Sequence, residues 1–174
     1  MLFGERGACG GCWCMSWRLK RSHYEKQKGP RNKAAFRKIV ATGPAPGVLA
    51  YSGAKPVGWC AVAPREVHER LENSRILARL DDQPVWSVTC FFVAKPFRRA
   101  GLTVQLLKAA VAHAAEFGAT CVEGYPVEPR KDPMPDVFAF TGIGSAFRKA
   151  GFKEVARQSS GRPIMRIQLP AGKR

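Results

Sequence analysis

The sequence predicts one mixed α/β domain, and four features predict it. Residues 85–93 form an apolar run rich in Val, Trp, Thr, Cys and Phe, the composition of a buried strand. Lys95-Pro96 interrupts it, and apolar side chains at 104, 107, 111 and 114 then follow helical spacing. A further strand-like run, Thr120 to Val127, completes a strand–helix–strand unit, whose right-handed crossover lays the two strands parallel. Finally, paired short apolar runs separated by turn residues read as hairpins. A length of 174 residues and an apolar fraction of 45% suit a single domain, 1–174, with a real core.

The chain carries 29 Lys and Arg against 13 Asp and Glu, a net charge of +16. Such a field attracts polyanions, whether a phosphate-bearing cosubstrate, nucleic acid or acidic lipid. No nucleic-acid module motif accompanies it, which makes nucleic acid an unlikely partner. The first twenty residues lack the continuous apolar core of a secretory signal, and no run approaches the ~18 residues that span a bilayer. The expected compartment is cytoplasmic, with no membrane association.

Taken in order, the chain opens with cysteines at 9, 12 and 14 in Cys9-Gly10-Gly11-Cys12-Trp13-Cys14. Three readings stand: a first strand from Cys12 to Leu19, a metal site with His23 as the nearest fourth ligand, or redox-sensitive thiols at the edge of a cleft. No residue is assigned as a metal ligand. Residues 20–33 are basic and polar, and Gly29-Pro30 starts a helix over Arg31 to Ala41. Val48–Ser52 and Val57–Val62 flank Gly53-Ala54-Lys55-Pro56 as a hairpin. Pro64 to Pro84 is a long charged excursion holding Arg75, Arg79, Asp81 and Asp82, which read either as substrate-selecting groups or as an exposed loop. After Thr120–Val127 a Pro-rich loop runs from Glu128 to Asp136. A short helix around Phe147 then precedes Gly151-Phe152, and Phe152–Gln158 pairs with Pro163–Leu169. The last residues, 170–174, form a basic tail.

Residues 95–103 form a basic, Gly-containing loop feeding a helix N-terminus. Such a terminus offers unpaired N–H groups and the positive end of the helix dipole, a phosphate site that Arg98 and Arg99 reinforce. In this setting Val93, Phe97, Arg98, Gly101 and Leu102 resemble the acetyl-CoA-binding motif of the GNAT N-acetyltransferase superfamily. Pro96 stands one place later than that pattern has it, and Thr103 stands where Gly or Ala is commoner. Gly58-Trp59 and Gly151-Phe152 resemble two further family signatures. The resemblance covers roughly 45–169, with 1–45 matched loosely.

The resemblance implies a mixed, mostly antiparallel sheet splayed between its fourth and fifth strands and flanked by helices. It also implies acetyl-CoA as cosubstrate, held by Phe92, Val93, Arg98, Arg99, Ala100, Gly101, Leu102, Thr103 and Phe147, with a backbone N–H near Val93 for the oxyanion. The region after the first strand would line the acceptor cleft, so His23, Tyr24 and Glu25 face either substrate or solvent. The tyrosine that in many members protonates the leaving thiolate is replaced by Phe147. Tyr125 is the first substitute acid, with Cys90 second. Glu123 and Glu128 are the candidate bases, Glu123 sharing a strand face with Tyr125. The expected reaction is direct acetyl transfer to a primary amine, on a small molecule or peptide. Alternatives are a non-catalytic acyl-CoA-binding module and a basic nucleic-acid-associated protein. A homodimer is left open.

Overall fold

The computed structural model describes residues 2–5, 7–128 and 135–170. Helices α1 (Arg21–Gln27) and α2 (Pro30–Thr42) lead into the hairpin β1 (Gly47–Ser52) and β2 (Lys55–Pro64). A 3-10 turn at Arg65–Val67 and the short α3 (Glu69–Glu72) precede β3 (Trp86–Val93). Then come α4 (Leu102–Glu116), β4 (Cys121–Gly124), α5 (Gly144–Lys149), β5 (Lys153–Ser159) and β6 (Arg162–Gln168). The sheet order is β1-β2-β3-β4-β6-β5, antiparallel everywhere except at the β3–β4 junction.

That junction is the architectural event. β3 and β4 pair only from Trp86–Val122 to Val88–Gly124, while β3 continues to Val93 and the two strands part. β4 stops short of the expected Val127 because Pro126 has no N–H for a ladder. Val127 instead forms an isolated parallel bridge with Ile143. Phe147 wedges beneath the split, fully buried, with Phe91 and Phe152 edge-on at 6.1 and 5.0 Å. A Cβ on Gly124 would collide with the Phe147 ring, so only glycine lets the wedge in.

One face of the sheet is covered by α4 and α5. Leu106, Leu107, Ala110 and Ala114 of α4 are buried there with Val62, Val88, Val122, Phe147 and Met165. Each buried Leu stabilises the fold by about 1.5–3 kcal/mol. The helix sits close because Gly58 opposes Leu102 and Leu106, where a Cβ would press on both side chains at 3.1 Å. The other face carries two smaller clusters. One joins Leu71, Leu77, Tyr125 and Ile164; the other joins Cys14, Trp59 and Ala61 with Phe3, Phe36, Cys90 and Phe92.

The expected first strand from Cys12 to Leu19 does not form. Successive turns replace it: the N–H groups of Cys12, Met15 and Arg18 donate to the carbonyls three residues back at 2.9, 2.9 and 3.1 Å. Trp13, Cys14 and Met15 are buried one after another, which an alternating strand does not allow. The backbone reason is local. Gly10, Gly11, Trp13 and Cys14 all have left-handed φ, at 53°, 80°, 43° and 57°. The strands expected as fourth and fifth are therefore β3 and β4. The basic stretch 20–33, which lacks apolar periodicity, holds α1, anchored by one buried residue, Tyr24.

Candidate active site

A cleft of about 1130 Å³ opens where β3 and β4 part. Its near end is the loop from Phe97 to Thr103. Arg99 and Gly101 adopt left-handed φ of 63° and 76°, turning the chain sharply into α4. The first N–H groups of α4 precede its hydrogen-bond ladder, which starts with Val104 and Gln105 donating to the Gly101 carbonyl at 3.0 and 3.4 Å. Arg98 Nε donates to the Val93 carbonyl at 2.9 Å, tying the loop to the end of β3. The loop thus combines exposed amides, a helix N-terminus and two guanidinium groups, which fits a pyrophosphate.

Midway, β3 carries a bulge. Cys90 lies opposite Ala61 and Val88 opposite Val62, so Thr89 has no partner on β2. The extra residue turns both Thr89 and Cys90 to the face away from α4. Thr89 reaches His68 Nε2 at 3.4 Å, and Cys90 joins the Cys14–Trp59 cluster. The same bulge leaves the Phe91 N–H directed into the split, where it donates to the Phe140 carbonyl at 2.6 Å.

The far end is walled by the N-terminal turns and α1. Cys9, Cys12, Cys14, Ser16, Trp17, Tyr24, Glu25 and Lys28 line it opposite Cys90 and Phe92. Gly11 fixes this wall against α2: its carbonyl accepts from Gly29 N at 3.0 Å and from Asn32 Nδ2 at 3.2 Å. Burial pushes the Tyr24 phenol up to about 12, keeping it protonated, and Glu25 is paired with Lys28. The Cys14 thiol is held below the ordinary cysteine range, first by its hydrogen bond with Cys90. The Trp59 indole N–H at 3.1 Å and the Arg18 charge act in the same direction. Cys90 moves the opposite way, well up, because of that same bond and its burial. Among the described residues, no group of three His, Cys, Asp or Glu is arranged to hold a metal.

The candidate residues divide sharply by position. Phe92, Val93, Arg98, Arg99, Gly101, Leu102 and Thr103 line the cleft. Ala100 is exposed beside it, and Phe147 is the buried wedge. Tyr125 and Glu123, each 1% exposed, face the side of the sheet under α3 and lie outside the lining. The Tyr125 hydroxyl donates to Glu123 Oε1 at 2.5 Å, accepts from Arg65 at 2.8 Å and meets Ser87 Oγ at 2.8 Å. Glu123 also accepts from Arg65 at 3.0 Å and from Arg166 at 2.6 Å. Glu128 bonds Arg148 at 2.8 Å. Arg79 is spent on Glu66 and Glu72, and Asp81 on Arg166. His23, Arg75 and Asp82 are likewise absent from the lining. The cleft residues that sequence reasoning passed over are Trp17, Lys28, Phe138, Phe140, Ser145 and Lys149. The tandem Gly10-Gly11 was the one signal that the cysteine segment turns.

A sheet that splits at its parallel β3–β4 junction, with the start of α4 at the mouth of the split, is the arrangement that the resemblance to the acetyl-CoA-dependent acetyltransferases implied. The model of the Acetyltransferase (GNAT) family matches residues 13–131, and the chain belongs to this family of acetyl-CoA-dependent N-acetyltransferases. Among solved structures, a putative GNAT-family acetyltransferase from Desulfovibrio desulfuricans is similar at 16% identity and TM-score 0.50, covering 86% of this chain and 83% of that one. The PaiA N-acetyltransferase of Thermoplasma acidophilum, solved with coenzyme A, is similar at 12% identity and TM-score 0.52, covering 95% and 89%. YncA, a putative acetyltransferase from Salmonella typhimurium solved with acetyl-CoA, is similar at 13% identity and TM-score 0.51, covering 79% and 72%. No match to a curated protein was found. No helix among the described residues is long and apolar enough to cross a membrane.

Proposed function

We propose that the chain transfers an acetyl group from acetyl-CoA to a primary amine by direct attack in a ternary complex. The observation that carries this reading is the continuity of one cleft, from the Arg98–Thr103 loop through the split to the thiol and aromatic wall at Cys14, Trp17 and Tyr24. The loop amides and Arg98 take the pyrophosphate. The pantetheine arm runs along the free edge of β3, and the Phe91 N–H receives the thioester oxygen as it becomes an oxyanion. The acceptor occupies the far end. Its walls favour an amine carried on an apolar or aromatic body, on a small molecule or a peptide, over a polyamine, since among the described residues Glu25 is the one carboxylate on the lining and is already paired.

Tyr125, Glu123 and Glu128 take supporting roles in this reading. The hydrogen-bonding capacity of Tyr125 and Glu123 is spent within a buried network, which holds β4 beside β3 where the split begins. Phe147 favours a second reading, a module that binds acyl-CoA without turnover, because its position carries no hydroxyl to protonate the thiolate.

The test is calorimetric titration with acetyl-CoA, followed by thiol release over a panel of benzylamine, tyramine, spermidine and a lysine-containing peptide. The expected results are binding weakened roughly 10–100-fold in Gly101→Glu, where a side chain meets left-handed φ and a carboxylate faces the phosphates, and release with the aromatic amines. Binding without release from any amine selects the non-catalytic reading. No binding by folded protein overturns both.

A further inference from the structure

The direct-attack reading leaves one chemical need unmet. An alkyl amine is an ammonium ion at neutral pH, and a proton must leave it before nitrogen can attack. Among the described residues, the ionisable groups on the cleft wall narrow the choice. Arg98, Arg99, Lys28 and Lys149 are cations, the Tyr24 phenol is kept protonated by burial, and Glu25 is bound to Lys28. Cysteines 9, 12, 14 and 90 remain, and Cys14 is set apart from the others by its geometry.

Cys14 sits with Trp13 at consecutive left-handed φ values of 57° and 43°, a conformation that costs a residue with a side chain about 1–2 kcal/mol. The surroundings enforce it. Trp13 is packed edge-on by Phe3 at 5.9 Å and capped by the Lys33 ammonium at 5.0 Å. The strained turn aims the sulfur at the Trp59 indole, whose N–H donates to Sγ at 3.1 Å. An indole N–H can only donate, so sulfur is the acceptor and the bond is strongest to a thiolate. The β3 bulge turns Cys90 into the same cluster as Cys14, where its thiol donates to the Phe91 carbonyl at 3.8 Å. The indole N–H thus holds a sulfur that lies in the lining of the cleft, at a backbone strained in the way functional turns often are.

We propose that Cys14, its sulfur held at the cleft wall by the Trp59 indole N–H, is the base that takes the proton from the acceptor's ammonium group. The proposal rests on the acetyl-transfer reading above and names the catalytic group within it. The step balances. The Cys14 thiolate takes one proton from R–NH3+, giving a thiol and a neutral amine. The amine nitrogen adds to the thioester carbonyl, and collapse of the tetrahedral adduct breaks the C–S bond and expels CoA thiolate. The second nitrogen proton goes to that thiolate, and Cys14 returns its proton to water.

The groups around Cys14 set the direction of its titration. Cys90 from β3, Trp59 from β2 and Arg18 from its own segment favour the thiolate, while burial opposes it. Cys60 of β2 points to the opposite face, into the core under α4, and burial drives it well up, so it stays neutral. On the same wall stand Tyr24, neutral, and the Glu25–Lys28 pair.

Two experiments test the proposal, and the first needs no acceptor. Ultraviolet thiolate absorbance is titrated in the full chain and in Cys14→Ser, and the difference isolates Cys14. The expected inflection lies below the ~8.5 of a free cysteine and moves up in Cys90→Ala. An inflection at or above the ordinary value overturns the proposal and leaves the acetyl-transfer reading standing. In the second, thiol release is followed with benzylamine, an ammonium at neutral pH, and with methoxyamine, already neutral there. Cys14→Ala is expected to lose roughly 100-fold or more in kcat/KM for benzylamine, with little change for methoxyamine and acetyl-CoA affinity retained. Equal losses for both amines, or no loss for either, overturn it. So does an acetyl thioester on Cys14 when the protein is mixed with acetyl-CoA alone, since that would make the sulfur a nucleophile. Failure of acetyl-CoA to bind the unmodified chain would instead strike the underlying reading.

Discussion

The Phe91 backbone N–H donates to the Phe140 carbonyl at 2.6 Å, across the mouth of the split between β3 and β4. It is the N–H that the β3 bulge directs into the opening, so in the proposed reaction the segment around Phe140 holds the position the thioester oxygen would take. Phe138, beside it, is largely exposed and contributes little to the core. Acetyl-CoA binding is therefore expected to exchange this hydrogen bond and move residues 138–142. Hydrogen exchange with and without acetyl-CoA checks it: protection should change in that segment while α4 stays constant. An unchanged segment in the complex would mean that the cosubstrate takes another path.

Phe147 gives a second prediction. Its ring edge lies against Gly124 and Gly142, where added Cβ atoms would meet it, and the ring is fully buried. A hydroxyl introduced by Phe147→Tyr would enter packed core and find no thiolate to protonate. The variant is expected to lose about 1–3 kcal/mol from an unsatisfied buried hydroxyl, with no gain in kcat/KM. Urea unfolding and thiol release measure the two effects. A faster enzyme would place the ring's far carbon in the cleft after all.

The divide between what the sequence made legible and what it hid follows from where information is local. The hairpin of β1 and β2, the apolar face of α4 and the loop at Arg98–Gly101 are each specified by neighbours in the chain, and they formed as expected. β4 shortened because a single Pro126 removed a donor, an effect also local but easily read past. The network at Glu123 was hidden for a different reason. Its keystone, Arg65, stands 58 residues away at the start of a charged excursion, and nothing local marks that arginine as 1% exposed. Cys12–Leu19 misled because its residue types suit a strand, while the φ values of Trp13 and Cys14 are imposed by Trp59, Phe3 and α2.

Arg65 and Glu123 make the third prediction. Arg65 spends its guanidinium on Glu72, Glu123, Tyr125 and the carbonyls of Leu71 and Leu77. Removing Glu123 leaves Arg65 and Arg166 facing each other in the interior, and a buried pair broken this way costs about 3–5 kcal/mol. Glu123→Ala should thus unfold far more easily in urea. Tyr125→Phe, which keeps the ring and the ion pairs, should lose only about 1–3 kcal/mol. If the network only supports β4, Tyr125→Phe keeps kcat/KM within a few-fold in thiol-release assays; a large loss in that folded variant would restore Tyr125 as an acid.

His68 makes the last prediction, and it concerns pH. The ring is buried under the sheet beside Thr89, and burial, reinforced by the Arg18 charge, lowers its pKa from 6.5 to about 3. The folded chain therefore keeps His68 neutral at pH values where the unfolded chain binds a proton. Above about 6.5 neither state takes that proton, and the full stability is present. As pH falls from 6.5 towards 3, the unfolded state gains protons that the folded state refuses, and stability drops by about 1.4 kcal/mol per pH unit. Carboxylates contribute to acid unfolding as well, so the informative quantity is the difference between the native chain and His68→Gln. Urea unfolding over that range should find His68→Gln losing less stability per pH unit, so that the native chain's lead shrinks as the solution is acidified. Parallel curves would mean that His68 takes up its proton in the folded state and that the space beside Thr89 opens to solvent.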